Sequence, residues 1–374
     1  MIAATDRIYL QPTSFVARPH GLDGRVHRIH DGMVWFAAYQ VMWRGDVGGV
    51  RKGEQLVLVD ELEPFLATLP QAVRAQADAQ IAALKSPTKP LAIGARTIRL
   101  TTPQVMGIIN ATPDSFSDGG AYDNSAEAAS NEGFAMGEAG AAIIDVGGES
   151  TRPGAPLVWE GDEINRIQPV VAALAKGGIA VSIDTRKSAV MQAAIAAGAG
   201  LINDISALLY DERAVAVAKA AGVPVVLMHA PSQKSDPHEG GVYSDPLLDV
   251  YDWMAARVDA VAAAGIARDT IIVDPGIGFG KGISDNLALI NGAALFHTLG
   301  CPLLIGASRK RLIGALDNEA PADERLGGSI ALHMAVVEQG AQIIRAHDVP
   351  ETVQAIRVWQ GMRDAALTAP FVET

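Results

Sequence analysis

The chain has 374 residues, of which 49% are hydrophobic and 19% charged, and its formal net charge is -12. This length and composition predict one large folded domain plus a smaller one, and they exclude a disordered chain. The negative charge argues against nucleic acid or an anionic membrane surface as a partner, so an anionic ligand would need a local basic pocket. The single cysteine, Cys301, excludes an internal disulfide and a cysteine-rich zinc site and fits a reducing cytoplasm.

Residues 1–88, called the N-terminal region below, predict a small α+β unit. A strand is expected at Arg7–Leu10, an aromatic apolar run covers Val34–Trp43, and a helical pattern extends over Leu62–Leu84. The start of the chain does not resemble a secretion signal, and no apolar run reaches about 18 residues, so neither secretion nor a membrane span is expected. The role of the N-terminal region stays open between a passenger and a module for oligomerisation or partner binding.

Residues 89–374 predict a repeated β-strand and α-helix pattern. Leu91–Leu100 is expected to form a hairpin that plugs the N-terminal mouth of the next domain, and short apolar runs then alternate with Ala-rich helical patterns. About eight such units in roughly 250 residues favour a (β/α)8 TIM barrel over an open doubly wound sheet, which has fewer strands. The predicted strand cores are 105–110, 142–148, 180–185, 201–205, 224–229, 271–276, 302–307 and 341–347.

Polar side chains stand at the ends of these predicted strands. In a TIM barrel all strand ends meet at one face, which carries the active site, so the pattern indicates an enzyme. The loop after the first barrel strand, within Val105–Gly120, is also dense in polar and turn-forming residues, although a plain turn that caps the next helix is the alternative. The strand-end residues are Asn110, Asp145, Asp184, Asn203, His229, Asp274, Ser308, Arg345 and His347.

Two carboxylates and an amide among them suit a ligand that is rich in N–H donors. Asp184, Asn203 and Asp274 follow separate strands and can converge in the barrel centre, where a carboxylate can pair with the adjacent ring and exocyclic N–H groups of a 2-aminopyrimidine. The alternative is a buried structural carboxylate that caps a helix, which is favoured for Asp145. The glycine-rich segment after Asp274, PGIGFGK, matches neither the P-loop nor the dinucleotide-binding pattern.

Basic residues cluster after the last two strands. Ser308–Arg311 and Arg345–His347 lie where barrels commonly bind phosphate, although Arg309 and Arg311 could instead pair with Asp317 or Glu324.

Two further groups of side chains have more than one possible role. Arg152, in the segment DVGGESTRPGA, can bind an anion or form a salt bridge with Glu160 or Asp162. The 236–239 segment has candidate metal ligands but no spacing that enforces a geometry, whereas Asn110 could share Mg²⁺ with ligand phosphates.

The motif series MGIINATPDSFSDGG, DVGGESTRPGA, SIDT, INDI, DPGIGFGK, SRK and IIRAHDV resembles that of the dihydropteroate synthase family. The resemblance covers about Lys89–Trp359. It implies the condensation of 6-hydroxymethyl-7,8-dihydropterin diphosphate with para-aminobenzoate, giving 7,8-dihydropteroate and pyrophosphate, with Mg²⁺ as cofactor. It also implies a cytoplasmic homodimer.

The same resemblance implies four groups of site residues. Residues expected to bind the pterin are Asp184, Asn203, Met228, Asp274, Phe279 and Lys310. Residues expected to bind the diphosphate are Asn110, Arg345, Ala346 and His347, and Asn110 is also the expected metal ligand. The aminobenzoate pocket is expected to comprise Phe116, Thr151, Arg152 and Pro153. The residues expected to be catalytic are Asp118, Arg152 and Lys310, with Asp118 stabilising positive charge at the pterin methylene.

Two alternatives compete with this function. A pterin-binding methyltransferase barrel shares the central Asp and Asn residues that bind the pterin. A methyl-folate, however, has no diphosphate that the cations of the SRK and RAH segments would neutralise. The other alternative is a catalytically silent barrel that binds a partner through the N-terminal region. It would leave polar and charged side chains repelled or desolvated without a ligand, namely Asn110, Arg152, Lys310 and His347. The resemblance assigns no role to Arg311 or to the 229–245 loop, which contains SQKSDPHEGG.

Overall fold

A computed structural model of the protein describes residues 1–111, 122–152, 154–234 and 236–368. Its centre is an eight-stranded parallel sheet, which a bridge between Val273 and Leu303 closes into a barrel. The predicted TIM barrel is therefore confirmed. The barrel strands are β7 (Gln104–Asn110), β8 (Ile143–Gly147), β9 (Val181–Asp184), β10 (Leu201–Asp204), β11 (Val225–Met228), β12 (Ile271–Asp274), β13 (Leu304–Ile305) and β14 (Ile343–Ala346).

Helices surround these strands because the segments between them carry one apolar face toward the sheet. Several helices end at a glycine in the left-handed conformation, as α5 does at Gly198 with φ 112°. The helices are α3 (Tyr122–Ala139), α4 (Glu160–Lys176), α5 (Ser188–Ala197), α6 (Ala214–Ala221), α7 (Pro246–Ala263), α8 (Ile283–Asn291), α9 (Arg311–Leu316), α10 (Leu326–Val337) and α11 (Val349–Thr368). In the described ranges, none is both long and apolar enough to cross a bilayer.

The predicted plug of the N-terminal mouth is confirmed. Strands β5 (Leu91–Ile93) and β6 (Arg96–Ile98) form an antiparallel hairpin. Its side chains share one apolar cluster with residues at or near the starts of the barrel strands, including Met106, Ile143 and Leu201. This end of the barrel is therefore packed shut, and a ligand must enter from the opposite, C-terminal face.

The N-terminal region contains more strand than the sequence predicted. Its elements are β1 (Arg7–Val16), β2 (His27–Arg28), β3 (Trp35–Arg44), β4 (Gly53–Leu58), α1 (Leu62–Ala67) and α2 (Gln71–Lys85). Strand β3 is central, and it pairs with β1 on one edge and with β2 and β4 on the other. The helical pattern predicted over Leu62–Leu84 is confirmed, but it forms two helices, because Pro70 disfavours helical geometry at Leu69 and divides the segment.

The exposed edge of β1 is covered rather than left to pair with another chain. Gln80 of α2 donates from Nε2 to the Ile8 carbonyl at 2.7 Å and accepts from the Leu10 amide at 2.9 Å. The side chain thus replaces a neighbouring strand at this point. Helix α2 and β1 also contact the 293–299 turn of the barrel, so the N-terminal region packs directly on the barrel.

Candidate active site

Three polar residues meet inside the C-terminal mouth of the barrel. Asp184 at the end of β9 and Asn203 on β10 are register partners, and both are largely buried. Asn203 donates from Nδ2 to Asp145 Oδ2 at 2.9 Å. This bond orients the amide, so its oxygen is directed away from Asp145 and is available as an acceptor.

Arg345 of β14 lies between two of these carboxylates. Its Nε atom is 2.7 Å from Asp145 Oδ2, and its Nη2 atom is 2.8 Å from Asp184 Oδ2. The alternative in which Asp145 caps a helix is therefore wrong, because this buried carboxylate instead holds Arg345 and Asn203 inside the barrel. Burial raises the pKa of Asp184 to about 7, although Arg345 opposes the rise.

Asp274 stands across the mouth beside an apolar wall. Its Oδ1 atom accepts the Gly276 amide at 2.7 Å, and burial raises the pKa of the carboxyl. A β-carbon at Gly276, where φ is 71°, would lie 1.9 Å from the His229 carbonyl oxygen, so only glycine allows this turn. Met228 is the register partner of Asp274, and it forms a small apolar cluster with Ile205, Ala230 and Phe279. A carboxylate beside an apolar wall suits a flat heterocycle with N–H groups at one edge.

Lys310 shares this pocket. Its Nζ atom lies 4.1 Å from the centroid of the Phe279 ring. The charges of Asp274 and Asp184 both act to raise the pKa of Lys310, and the charge of Lys310 acts to lower the pKa of Asp274. Burial and the nearby charge of Arg345 lower the pKa of Lys310 to about 8. The preceding residue, Arg309, has a φ of 56°. The predicted convergence of the carboxylates and the lysine at one face is confirmed.

The rest of the predicted basic group is divided. Arg309 pairs with Asp348 through Nε at 3.0 Å, so the alternative of an ion pair with a carboxylate holds for this residue, with Asp348 as the partner in place of Asp317 or Glu324. Within the described residues its charge is thus already balanced. Arg311 begins α9 and is exposed, and the structure assigns it no ion pair in the described ranges.

His347 has one ring nitrogen committed to Ser308. The Ser308 hydroxyl oxygen accepts the His347 amide at 3.2 Å and lies 3.0 Å from Nδ1. This geometry fits a neutral ring that accepts the hydroxyl proton at Nδ1 and carries its own proton on Nε2. Burial and Arg345 lower the pKa of His347 to about 3, so the ring is a neutral donor at physiological pH. Ala346, also predicted here, is buried in β14 and offers only its backbone.

The expected aminobenzoate pocket is described only in part. Phe116, Asp118 and Pro153 lie outside the described residues. Thr151 offers its carbonyl oxygen to His238 Nε2 at 2.8 Å, and Arg152 is exposed. In the ranges that the structure covers, Arg152 forms no salt bridge with Glu160 or Asp162, so its guanidinium remains available for an anion.

Sequence reasoning missed two residues that shape this mouth. The ring of His238 stacks on Phe279 with centroids 4.9 Å apart and planes at 15°. Lys281 donates from Nζ to the carbonyls of Gly276, Phe279 and His229 at 2.8 to 3.2 Å. No spacing signal could have indicated these contacts, because they depend on how two loops fold against each other.

The residues present fit Mg²⁺ only as an ion carried with a phosphate ligand. Asn110 ends β7 with a neutral amide oxygen, and no group of three potential His, Cys, Asp or Glu ligands occurs among the described residues. Mg²⁺ keeps most of its waters and often binds through one or two protein oxygens plus substrate phosphates. The 236–239 segment likewise forms no metal cluster within those ranges.

Comparison with known proteins identifies the family. The pterin binding enzyme family matches residues 106–347. The dihydropteroate synthase of Escherichia coli strain K12 is 44% identical over 263 residues, which cover 70% of this chain and 92% of that protein. The chain belongs to the dihydropteroate synthase family. It is therefore an enzyme of a transferase family, as the motif series predicted, and the match begins after the N-terminal region.

Solved structures of dihydropteroate synthases agree with the barrel. The Xanthomonas albilineans enzyme with 4-aminobenzoic acid is 41% identical with a TM-score of 0.70, and the match covers 76% of this chain and 100% of that one. The Yersinia pestis enzyme in complex with a sulfonamide drug is 43% identical with a TM-score of 0.69, over 74% of this chain and 100% of that one.

Proposed function

We propose that this chain condenses 6-hydroxymethyl-7,8-dihydropterin diphosphate with para-aminobenzoate to give 7,8-dihydropteroate and pyrophosphate. The observation that carries the proposal is the gathering of Asp184, Asn203, Asp274 and Lys310 at one barrel mouth, beside the apolar wall that contains Met228 and Phe279. A carboxylate and amide edge fits a heterocycle with N–H donors, and a cation beside it fits an anionic tail. A solved relative from Xanthomonas albilineans contains 7,8-dihydropteroate.

The pterin is assigned to the Asp274 side of the pocket. Asp274 has one oxygen bound to the Gly276 amide, which leaves the other for the ring and exocyclic N–H groups. Asn203 and Asp184 face the same centre from adjacent strands. Met228 and Phe279 supply the apolar surfaces for the two ring faces.

The diphosphate is assigned to the neighbouring cations. Lys310 supplies a positive charge, and His347 supplies a neutral N–H donor from Nε2. Arg345 is bound to two aspartates, so it contributes mainly by holding Asp184 in place. When bound, Mg²⁺ would be held by Asn110 and diphosphate oxygens and would supply positive charge for the departing pyrophosphate.

Aminobenzoate is assigned to the surface beside Thr151 and Arg152. An arylamine is neutral near pH 7 and needs no strong general base, so departure of pyrophosphate is the harder step. The exposed guanidinium of Arg152 suits the carboxylate of aminobenzoate. Two substrates held side by side favour attack by the amine over attack by water.

The expected result of a direct assay is strict dependence on three components. Purified protein should release pyrophosphate and form 7,8-dihydropteroate only when the pterin diphosphate, para-aminobenzoate and Mg²⁺ are all present. Pyrophosphate is measured by a coupled assay and the product by chromatography. Corrinoid-dependent methyl transfer without pyrophosphate release would contradict the proposal.

The activity should fall at alkaline pH because Lys310 loses its charge. Its pKa of about 8 means that the cation is present below that pH and is lost as the pH rises through it. We expect kcat/KM for the pterin diphosphate to decline above about pH 8 and the decline to move to higher pH in Lys310→Arg. An alkaline limb that is identical in both proteins would show that another group titrates.

The homodimer and the cytoplasmic setting implied by the resemblance remain predictions. Light scattering on the purified chain, whose mass is 39.0 kDa, measures the first directly.

A further inference from the structure

We propose that the N-terminal region positions the 229–245 loop over the substrate pocket by means of Arg44 and Arg51. This inference rests on the proposed function, because the pocket in question is the one assigned to the pterin and aminobenzoate. It gives a role to a part of the chain that lies outside the family match.

Arg44, the last residue of β3, is the first link. Its side chain is fully buried, and it reaches from the N-terminal region to helix α7 of the barrel. It pairs with Asp252 through Nη2 at 2.6 Å and with Asp249, and it also donates to the Leu248 carbonyl at 3.1 Å. A guanidinium with this many partners fixes the start of α7 against the N-terminal sheet.

Asp245 and Asp249, at the start of α7, hold the end of the loop. Asp249 Oδ2 accepts the amides of Ser244 and Asp245 at 2.8 and 3.1 Å, while its other oxygen faces Arg44. Asp245 caps α7 by accepting the Leu248 amide, and its Oδ2 atom is 2.9 Å from Arg51 Nε. Arg44 thus pairs with a carboxylate that binds the last backbone amides of the loop. Arg51 pairs with the side chain of Asp245, the last residue of the loop, which caps α7.

The middle of the same loop contacts the pocket. His238 stacks on Phe279 and reaches the Thr151 carbonyl, so it touches the pterin wall and the aminobenzoate segment together. The loop also lies tightly against the glycine-rich turn, because a β-carbon at Gly241 would come within 2.0 Å of the Gly280 carbonyl oxygen. A shift at the loop's end would therefore displace a side chain at the pocket.

A purely stabilising contact would not require this arrangement. Buried ion pairs often add little net stability relative to apolar side chains of similar size, whereas their directional bonds specify position. Here Arg44 pairs with Asp249, which binds the amides of Ser244 and Asp245, and Arg51 pairs with Asp245 itself. Both ion pairs therefore act on the end of the loop. Arg44 and Arg51 are therefore positioning residues, and neither touches the substrate pocket.

Arg51→Gln in the full chain tests the proposal, because this partly exposed side chain can change without unfolding the protein. The substitution removes the ion pair with Asp245 and also the one with Glu54, which lies within the N-terminal region. Loss of the contact with Asp245 should speed amide hydrogen exchange in the 238–245 segment by about threefold. The KM for a substrate should rise by a similar factor, with kcat and the thermal midpoint nearly unchanged. Arg51→Lys should restore part of both effects.

Arg74→Gln is the matched control. Arg74 lies in the same N-terminal region, but its ion-pair partners, Glu63 and Asp78, both lie there too. It should leave loop exchange and KM unchanged. Unaltered loop exchange in a folded Arg51→Gln protein would overturn the proposal. Because exchange is measured without substrate, this result is distinguishable from failure of the proposed function, in which the unmodified chain makes no dihydropteroate.

Discussion

Asp274→Asn is expected to weaken binding of the pterin diphosphate by about 2 to 4 kcal/mol, because the ligand's N–H groups lose a charged acceptor and meet an amide instead. The substitution keeps the size of the side chain and an oxygen for the Gly276 amide. Burial raises the pKa of the carboxyl, so the charge is costly in the empty pocket and the thermal midpoint should not fall. Calorimetry measures the first effect and a thermal melt the second.

Asp259→Asn is the matched control for this prediction. Asp259 lies on α7, is exposed, and pairs with Arg268 away from the barrel mouth. It should change neither ligand affinity nor the melt appreciably. Equal affinity in the Asp274 variant and the unmodified protein would remove Asp274 from the pterin site.

Arg345→Leu should have the largest effect on folding. It leaves Asp145 and Asp184 buried without their cation, which is expected to lower the free energy of unfolding by about 3 to 5 kcal/mol. Burial already raises the pKa of Asp184 to about 7, and losing Arg345 moves it further upward. The folded variant then binds protons more tightly than the unfolded chain, so its stability should decrease as the pH rises from about 5 to about 8.

Denaturant unfolding at both pH values measures this prediction. Adding Asp184→Asn to the Arg345→Leu protein removes one of the two buried carboxylates that have lost their cation. The double variant should recover part of the lost free energy of unfolding, and that free energy should depend less on pH. A variant as stable as the unmodified chain at the higher pH would mean that Arg345 does not neutralise the pair.

The barrel and its active face could be predicted because both follow from topology. Short apolar runs between helical patterns predict parallel strands, and parallel strands bring their carboxyl ends to one face regardless of sequence separation. Asn203 and Asp184 therefore meet as register partners, as do Met228 and Asp274. The motif series then identified the family without any structural information.

The ion pairs inside the mouth could not be predicted in the same way. The sequence places Arg345 and Asp145 at the same face, but it does not say whether the guanidinium turns toward a ligand or toward carboxylates. The structure shows the second arrangement for Arg345. Arg309 likewise pairs with Asp348, although Asp317 and Glu324 are nearer to it in the sequence. Side-chain direction depends on local backbone geometry, such as the positive φ of Arg309.

The N-terminal region was the least predictable part. Strand β4 carries few of the alternating signals of a half-buried strand, and it pairs with β3 from Trp43↔Gly53 to Ala38↔Leu58, so its partners lie 10 to 20 residues earlier. The contacts of Arg44 with α7 join residues separated by more than 200 positions. Such contacts have no periodicity that a single sequence could reveal.

The decisive experiment is a crystal structure of the protein with the pterin diphosphate. We expect the heterocycle against Asp274 and Asn203, between Met228 and Phe279, with its tail directed toward Lys310 and His347. A ligand bound elsewhere, or bound here with its tail turned away from Lys310, would contradict it.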